Sequence, residues 1–211
     1  MLGANDGLLS VAGLVIGVAA ANSSRAALVT AGLAGLVAGA MSMAVGEYIS
    51  VSTQRDAEQA DIRIEAEAIA ENRRAELHEL AKIYEERGVE PGLARLVADQ
   101  LMAHDAVGAH ARDELGISEI ATARPLQAAL VSVAAFTAGG LVPVLAITIP
   151  GKDVRIGVTA VVCIVALFGL GALGAQLGGA PRLRAALRVA TLSVIAMVVT
   201  YAIGRVVGAN V

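Results

Sequence analysis

The stretch LQAALVSVAAFTAGGLVPVLAITIP, residues 126–150, contains no charged side chain. A helix of this length can cross the roughly 30 Å hydrocarbon core of a bilayer, which takes about 17–25 residues. Four other segments are similarly apolar, at residues 7–24, 26–46, 156–181 and about 185–207. Because the strands of a transmembrane barrel are shorter and alternate in polarity, this pattern predicts an all-α membrane protein with five transmembrane helices.

The composition also indicates a membrane protein. Hydrophobic residues make up 56% of the 211 residues and charged residues 17%, with a mean hydropathy of +0.70. Soluble domains typically contain about 25% charged residues. No basic segment precedes the first span and four more spans follow it, which excludes a cleaved signal peptide. We therefore expect an integral, multi-pass protein, located in the cell (inner) membrane if the organism is prokaryotic.

One block between the spans is strongly acidic. Residues 51–123 hold 16 of the 19 acidic residues, 8 of the 16 basic residues and all three histidines, which gives a formal charge of −8. No Gly or Pro interrupts residues 51–71, so the second span is expected to continue as a helix, followed by helices over about 75–86 and 91–115. The predicted organisation is spans one and two (1–50), a three-helix acidic domain (51–123) and spans three to five (124–211).

Basic residues near the ends of the spans predict the orientation in the membrane. Arginine and lysine are more frequent on the cytoplasmic side. Five arginines lie on the side of the acidic domain and four basic residues on the opposite side. They are Arg55, Arg124, Arg182, Arg184 and Arg188 on the first side, and Arg25, Lys152, Arg155 and Arg205 on the second. This difference places the acidic domain in the cytoplasm and the C-terminus outside.

The first two spans carry two acidic residues at their edges. Their connection falls near residues 22–24, so Asp6 is expected at about the depth of Met41, while Met43 and Glu47 lie one helical turn apart. Acidic groups are costly in membrane helices and usually mark an ion or proton pathway. We interpret Asp6, Met43 and Glu47 as a transport pathway. The alternative is that Asp6 caps the first helix and Glu47 lies at the membrane interface.

The acidic domain carries candidate metal ligands. Glu76 and Glu79 form an E-x-x-E pair, Glu65 lies three turns before Glu76 if the helix is unbroken, and His110 and Glu114 lie one turn apart. Carboxylates and imidazole together suit Fe(II), Mn(II) or Zn(II) better than Ca(II), which prefers oxygen alone. The pattern by itself leaves two interpretations open, a metal site or a solvated helix face.

Four segments carry a resemblance to the vacuolar iron transporter family, in its bacterial type. They are GANDG (3–7), AGAMSM (38–43), GEYISVS (46–52) and DELGI (113–117). The resemblance covers nearly the whole chain and implies dimers of five-span subunits, with a cytoplasmic three-helix metal-binding domain after span two. It further implies exchange of Fe(II), and often Mn(II), for protons. The glycine-rich faces of spans one and two also suit close helix packing in a homodimer.

The resemblance also implies roles for single residues. Asp6 matches the family's span-one aspartate and Met43 its span-two methionine. Eukaryotic members have a methionine pair where this chain has His110 and Ala111, so we expect a harder ligand set. The predicted metal ligands are Glu65, Glu76, Glu79, His110 and Glu114, with Glu67 and Glu71 as alternatives to Glu65. The given sequence begins only five residues before Asp6, without the N-terminal cytoplasmic segment that is usual in the family, so whether the N-terminus is complete stays open.

These features together predict a transporter that exports Fe(II) or Mn(II) from the cytoplasm in exchange for protons, with Zn(II) as a further candidate. The expected partners are metal ions, protons, the lipid bilayer and a second copy of the chain, with no nucleic acid and no tightly bound cofactor. No nucleophile–base motif or Gly-rich phosphate loop occurs in the sequence, which argues against an enzyme. The alternative from another class is a membrane-anchored metal sensor or scaffold that binds metal without transporting it.

Overall fold

The structure, a computed structural model, describes residues 2–117 and 123–210. The regular structure within these ranges is helical, in six α-helices. They are α1 (Leu2–Ala20), α2 (Arg25–Glu86), α3 (Pro91–Asp113), α4 (Pro125–Thr148), α5 (Arg155–Leu177) and α6 (Arg182–Gly208). In this part of the chain all helices except α3 are long and apolar enough to cross a membrane. The prediction of an all-α membrane protein with five spans is confirmed.

The chain divides into two compact units. One unit comprises Met1–Tyr48 and Leu126–Val211, and we call it the membrane unit. The other comprises Ile49–Pro125, and we call it the acidic unit. Helix α2 contributes its first part to the membrane unit and its remainder to the acidic unit. The predicted acidic domain, 51–123, includes residues 118–122, which lie outside the described residues, so its boundaries stay a prediction.

Helix α1 is central to the membrane unit because both of its faces are buried. Val11 and Val15 belong to an apolar cluster with residues of α2 and α4. Ala12 and Ile16, each one residue further along, belong to a second cluster with residues of α5 and α6. Cys163 is buried in this second cluster. Its surroundings indicate that Cys163 contributes to packing.

Glycines bring the helices of the membrane unit into backbone contact. A Cβ atom on Gly7 would overlap the carbonyl oxygen of Phe136, and one on Gly139 would overlap that of Ala4. A Cβ on Gly39 would overlap the ring of Phe136, and one on Gly17 would press on the Thr200 carbonyl oxygen at 3.1 Å. The glycines of the first two spans that we expected at a subunit contact thus pack within the chain. The homodimer stays a prediction that rests on the family resemblance.

Each helix of the acidic unit is interrupted once. Asn72 in α2 has φ −146° and ψ 68°, and Asp105 in α3 has φ −157° and ψ 91°, both outside the helical region. Each side chain caps the helical segment that follows: Asn72 Oδ1 accepts from the Ala75 N–H at 3.2 Å and Asp105 Oδ1 from the Gly108 N–H at 2.9 Å. The break at Asn72 lies between two predicted helices, whereas the single helix predicted over 91–115 is in fact interrupted at Asp105.

A polar clamp joins the ends of α2 and α3 in the acidic unit. The Tyr84 hydroxyl donates to Asp113 Oδ2 at 2.7 Å, and Arg87 Nη1 donates to Asp113 Oδ1 at 2.6 Å. Burial by itself raises the pKa of Asp113, but the hydrogen bonds from Arg87 and Tyr84 and the charges of Arg87 and Arg112 outweigh it and hold the pKa below its ordinary value. The clamp fixes the segment of α3 that follows Asp105.

Candidate metal centre

Two carboxylates converge on one nitrogen of His110 in the acidic unit. The side chain of His110 is fully buried, and its Nδ1 atom lies 2.9 Å from Glu65 Oε1 and 2.8 Å from Glu114 Oε2. Because Nδ1 carries at most one proton, it can donate to only one of these oxygens. The geometry gives that hydrogen bond to Glu114. Glu65 is thus held close to the imidazole without a hydrogen bond from it.

Glu76 brings a third side chain to this group. One ligand atom each of Glu65, Glu76 and His110 lies within 4.8 Å of the other two. In an unbroken helix the eleven-residue separation of Glu65 and Glu76 would place them roughly 16 Å apart along the axis. The two carboxylates can meet because α2 leaves the helical path at Asn72 between them. Two carboxylates and an imidazole are a donor set that suits Fe(II), Mn(II) or Zn(II).

Two buried atoms of the cluster lack partners. In the described part of the chain, Glu65 Oε1 and His110 Nε2 are buried without a hydrogen bond. Buried polar atoms are seldom left unsatisfied, and each one costs about 1–3 kcal/mol. A cation held by Glu65 would remove this cost for the carboxylate. With the proton on Nδ1, directed to Glu114, the lone pair of His110 lies on Nε2; with the proton on Nε2, Nδ1 is the ligand atom and lies 2.9 Å from Glu65 Oε1.

The electrostatics of the cluster favour a positive occupant. Burial raises the pKa of Glu65 above its ordinary value, and the negative charge of Glu114 raises it further. His110 acts in the opposite direction, while Glu76 and Glu79 add smaller upward contributions. The cause is the proximity of several carboxylates in a partly dry site. A proton relieves this repulsion, and a metal ion at the same place would relieve it too, so a bound metal would compete with the proton of Glu65.

The predicted ligands are not equivalent in the structure. Of the three candidates for the upstream glutamate, Glu65 is 7% exposed, whereas Glu67 and Glu71 are both exposed. Glu79 is exposed too and contributes to the field at Glu65 without belonging to the close group of ligand atoms. The structure thus brings Glu65, Glu76, His110 and Glu114 together and leaves Glu79 outside.

The membrane unit contains a second candidate site. Asp6 and Met43 line one groove of about 420 Å³. Helix α1 begins at Leu2, so Asp6 lies in its second turn, where Oδ1 accepts a hydrogen bond from Ser10 Oγ at 2.9 Å. The alternative that Asp6 caps the first helix is therefore wrong. Glu47 is half-buried one turn beyond Met43 and does not line the groove, so only two members of the predicted pathway share it.

Two polar residues of this groove were not predicted from the sequence. Asn5 Oδ1 is buried and, among the described residues, has no hydrogen-bond partner. Ser193 is 2% exposed, and its hydroxyl donates to the carbonyl oxygen of Val189 at 2.7 Å. The position of Asn5 beside Asp6 in the GANDG segment could have indicated it. Ser193 has no local signal, because only the packing of α6 brings it to the groove.

Comparisons with known proteins match nearly the whole length of the chain. A sequence model of the VIT family matches residues 1–205 of the chain. A vacuolar iron transporter from Acanthamoeba castellanii is 44% identical over 205 residues, which cover 97% of this chain and 76% of that protein. A vacuolar iron transporter homolog 2 from Oryza sativa subsp. japonica is 37% identical over 206 residues, covering 97% of this chain and 87% of that protein. A vacuolar iron transporter homolog 2 from Arabidopsis thaliana is 34% identical over 209 residues, covering 99% and 82%.

Proposed function

The chain belongs to the VIT family, and from this membership we propose that it transports divalent metal ions across a membrane, with Fe(II) as the first substrate to test and Mn(II) as the second. Relatives that share most of the chain's length are named as vacuolar iron transporters. The observation that carries the proposal is the close group of buried Glu65, half-buried Glu76 and buried His110 in a chain with five candidate spans. This group offers the ligand types that these metals prefer.

In this proposal the two units have separate roles. The acidic unit binds the metal through Glu65, Glu76 and His110. Its net negative charge raises the local concentration of cations. Asp6, Met43 and Glu47 then form the pathway through the membrane unit. The common groove of Asp6 and Met43 supports this role, because it offers a hard carboxylate and a soft thioether ligand to a divalent transition metal.

Proton exchange is the coupling that we propose. Protons and metal ions compete for carboxylates, and the pKa of Glu65 is raised by burial and by its acidic neighbours. A site of this kind releases metal when protons are supplied and binds metal when they are removed. The excess of arginines beside the acidic domain supports a cytoplasmic location for that domain and export as the direction.

His110 also bears on the choice of metal. An imidazole in place of the methionine pair of eukaryotic relatives makes the ligand set harder. We therefore expect Mn(II) and Zn(II) to bind this chain nearly as well as Fe(II). The homodimer implied by the resemblance is part of the proposal, since a symmetric pair is the commonest assembly of identical chains.

A sealed-vesicle assay tests the function. The purified protein is reconstituted into liposomes, and uptake of Fe(II), Mn(II) and Zn(II) is measured with and without a proton gradient. We expect uptake of at least one of the metals to depend on the protein and to accelerate when the gradient drives protons in the opposite direction. Uptake equal to that of protein-free vesicles for all three metals would overturn the proposal.

One observation favours a second candidate, a membrane-anchored metal sensor or scaffold. The candidate ligands lie together within the compact acidic unit, and binding there needs no pathway through the membrane. The two functions differ in the vesicle assay. Stoichiometric metal binding without flux across sealed vesicles would support the sensor and exclude the transporter.

A further inference from the structure

A second cavity of about 500 Å³ lies in the membrane unit, at the end where α1 ends and α5 begins. Lys152, Arg155 and Arg205 line it and bring three positive charges, against one negative charge from Asp153. Within residues 2–117 and 123–210 none of these four side chains forms an ion pair. The cavity has the opposite sign to the metal centre, so it cannot serve the proposed substrate as a ligand site.

Arg155 is held in place at this cavity. It is only 6% exposed, and its Nη2 donates to the carbonyl oxygen of Ser23 at 2.8 Å. A guanidinium has five N–H donors, and this is its one hydrogen bond to a described residue. A buried, fixed guanidinium with free donors is a geometry that recognises an anion through paired hydrogen bonds.

The partial charges of the helix ends do not neutralise the positive charges of the basic residues at this cavity. Helices α1 and α6 end beside the cavity and contribute about half a negative charge each, while the start of α5 contributes about half a positive charge. When these partial charges are added to the formal charges of Lys152, Arg155, Arg205 and Asp153, a surplus of about 1.5 positive charges remains. The first turn of α5 also presents backbone N–H groups as donors, because its N-cap residue, Val154, has no side chain that could accept a hydrogen bond from them.

Arg25 shows how a basic residue is used structurally at this end of the unit. Its guanidinium donates to the carbonyl oxygens of Thr148 and Ile149, at the end of α4. In contrast, Lys152 and Arg205 make no hydrogen bond through their side chains to any part of the chain that the structure describes. Two exposed cations are thus left around the fixed guanidinium of Arg155.

We propose that this cavity binds a phosphate group, carried either by an anionic phospholipid or by free inorganic phosphate. Lysine provides a point charge and arginine a planar fork, a combination that suits a phosphate with several acceptor oxygens. The half-exposed Tyr201 supplies a further hydroxyl at the same cavity. The location at the ends of the spans is the level at which lipid phosphates meet a membrane protein. The inference is independent of the proposed metal transport.

Two variants test this site in the full-length protein. The double substitution Lys152→Gln with Arg205→Gln removes two exposed cations and leaves the buried Arg155 in place. The control, Arg182→Gln with Arg184→Gln, removes the same charge from exposed positions at the start of α6. Size-exclusion chromatography in detergent establishes that each variant is folded before binding is measured.

The two sources of phosphate are measured separately. Calorimetry follows the binding of inorganic phosphate to the detergent-solubilised protein. Native mass spectrometry follows the retention of phosphatidylglycerol after incubation with mixed micelles of phosphatidylglycerol and phosphatidylcholine. We expect the double variant to lose about tenfold in affinity for one of these probes, as the removal of charge-assisted hydrogen bonds predicts, and the control to stay within about twofold.

The outcomes are distinct. Loss of phosphatidylglycerol retention alone assigns the site to a lipid headgroup, and loss of phosphate binding alone assigns it to the free ion. Equal affinity of the wild type and the double variant for both probes would overturn the proposal. An equal loss in the control variant would also overturn it, because the effect would then follow net charge rather than this cavity.

Discussion

The carboxylate of Glu65 lies 2.9 Å from Nδ1 of His110, and both residues are more than nine-tenths buried. The hydrogen-bond geometry of this nitrogen points to Glu114 instead, at 2.8 Å. Glu65 therefore faces a polar, acidic environment without a donor of its own. This arrangement is poorly satisfied when empty and well suited to a cation, and it underlies the first three of the predictions below.

Replacement of Glu65 by glutamine should weaken metal binding strongly. Glu65→Gln removes the anionic oxygen that lacks a partner, so we expect the Kd for Mn(II), measured by calorimetry, to rise by about tenfold or more. The matched control is Glu67→Gln, at an exposed position of the same helix, which should change the Kd by less than about twofold. Similar losses in both variants would show that binding follows net charge alone.

The two glutamates of the E-x-x-E pair should differ in their effects. Glu76 belongs to the close group of ligand atoms and Glu79 does not. We expect Glu76→Ala to raise the Kd for Mn(II) by about tenfold or more and Glu79→Ala by only about twofold to threefold. The smaller effect should disappear at 0.5 M salt, where long-range attraction is screened. A loss at Glu79 that equals the loss at Glu76 would place both side chains on the metal.

The metal-free acidic unit should respond to pH through Glu65. The pKa of this residue is raised on folding, so the folded state binds the proton more tightly than the unfolded state. The resulting stabilisation is fully present below the ordinary glutamate pKa and is lost as the pH rises through the raised value. Metal affinity should change in the opposite direction and increase with pH. Thermal unfolding between pH 4 and 8, with and without Mn(II), measures both effects, and Glu65→Gln should reduce each.

Transport should depend on the charge of Asp6. The near-isosteric change Asp6→Asn leaves the packing of α1 intact, and the amide oxygen can still accept from Ser10. We expect vesicle uptake to fall by about a hundredfold or more, because the titratable carboxylate of the groove is lost. Asp153→Asn, outside this groove, is the control and should transport at the wild-type rate. Normal uptake by Asp6→Asn would remove Asp6 from the pathway.

The contact between α1 and α4 should not tolerate a methyl group. Gly7→Ala would place a Cβ against the carbonyl oxygen of Phe136, and we expect a loss of about 1–3 kcal/mol in stability. Gly46→Ala is the matched control in α2, where the added atom meets nothing within 4 Å. That variant should be neutral or slightly stabilised, since alanine favours a helix by about 1 kcal/mol over glycine. Thermal unfolding in detergent compares the two.

The sequence predicted the helical class and the number of spans because both depend on local composition. Long uncharged segments such as residues 126–150 leave few alternatives in a bilayer. The juxtaposition of Asp6 and Met43 was also predictable, since a hairpin of two spans fixes which residues lie at equal depth. Ser193 could not be predicted in the same way, because its place beside Asp6 depends on how α6 packs.

The candidate metal centre was predictable in its residue types and only partly in its geometry. Glu65, Glu67 and Glu71 are similar in sequence, and burial separates the first from the other two. The interruption of α3 at Asp105 was missed, because an aspartate within a helical segment can either face solvent or cap a new turn. Its side chain makes the capping hydrogen bond to Gly108, which only the folded structure reveals.

The break at Asn72 makes the length of one short segment a determinant of the proposed metal binding. The helix restarts from this residue, so Glu76 is placed by counting from Asn72 and not from the preceding helix. One residue inserted between them would rotate Glu76 by about 100° around its helix and carry it away from Glu65. Among natural relatives, the spacing between a capping residue and the E-x-x-E pair should therefore vary less than the identity of the intervening residues.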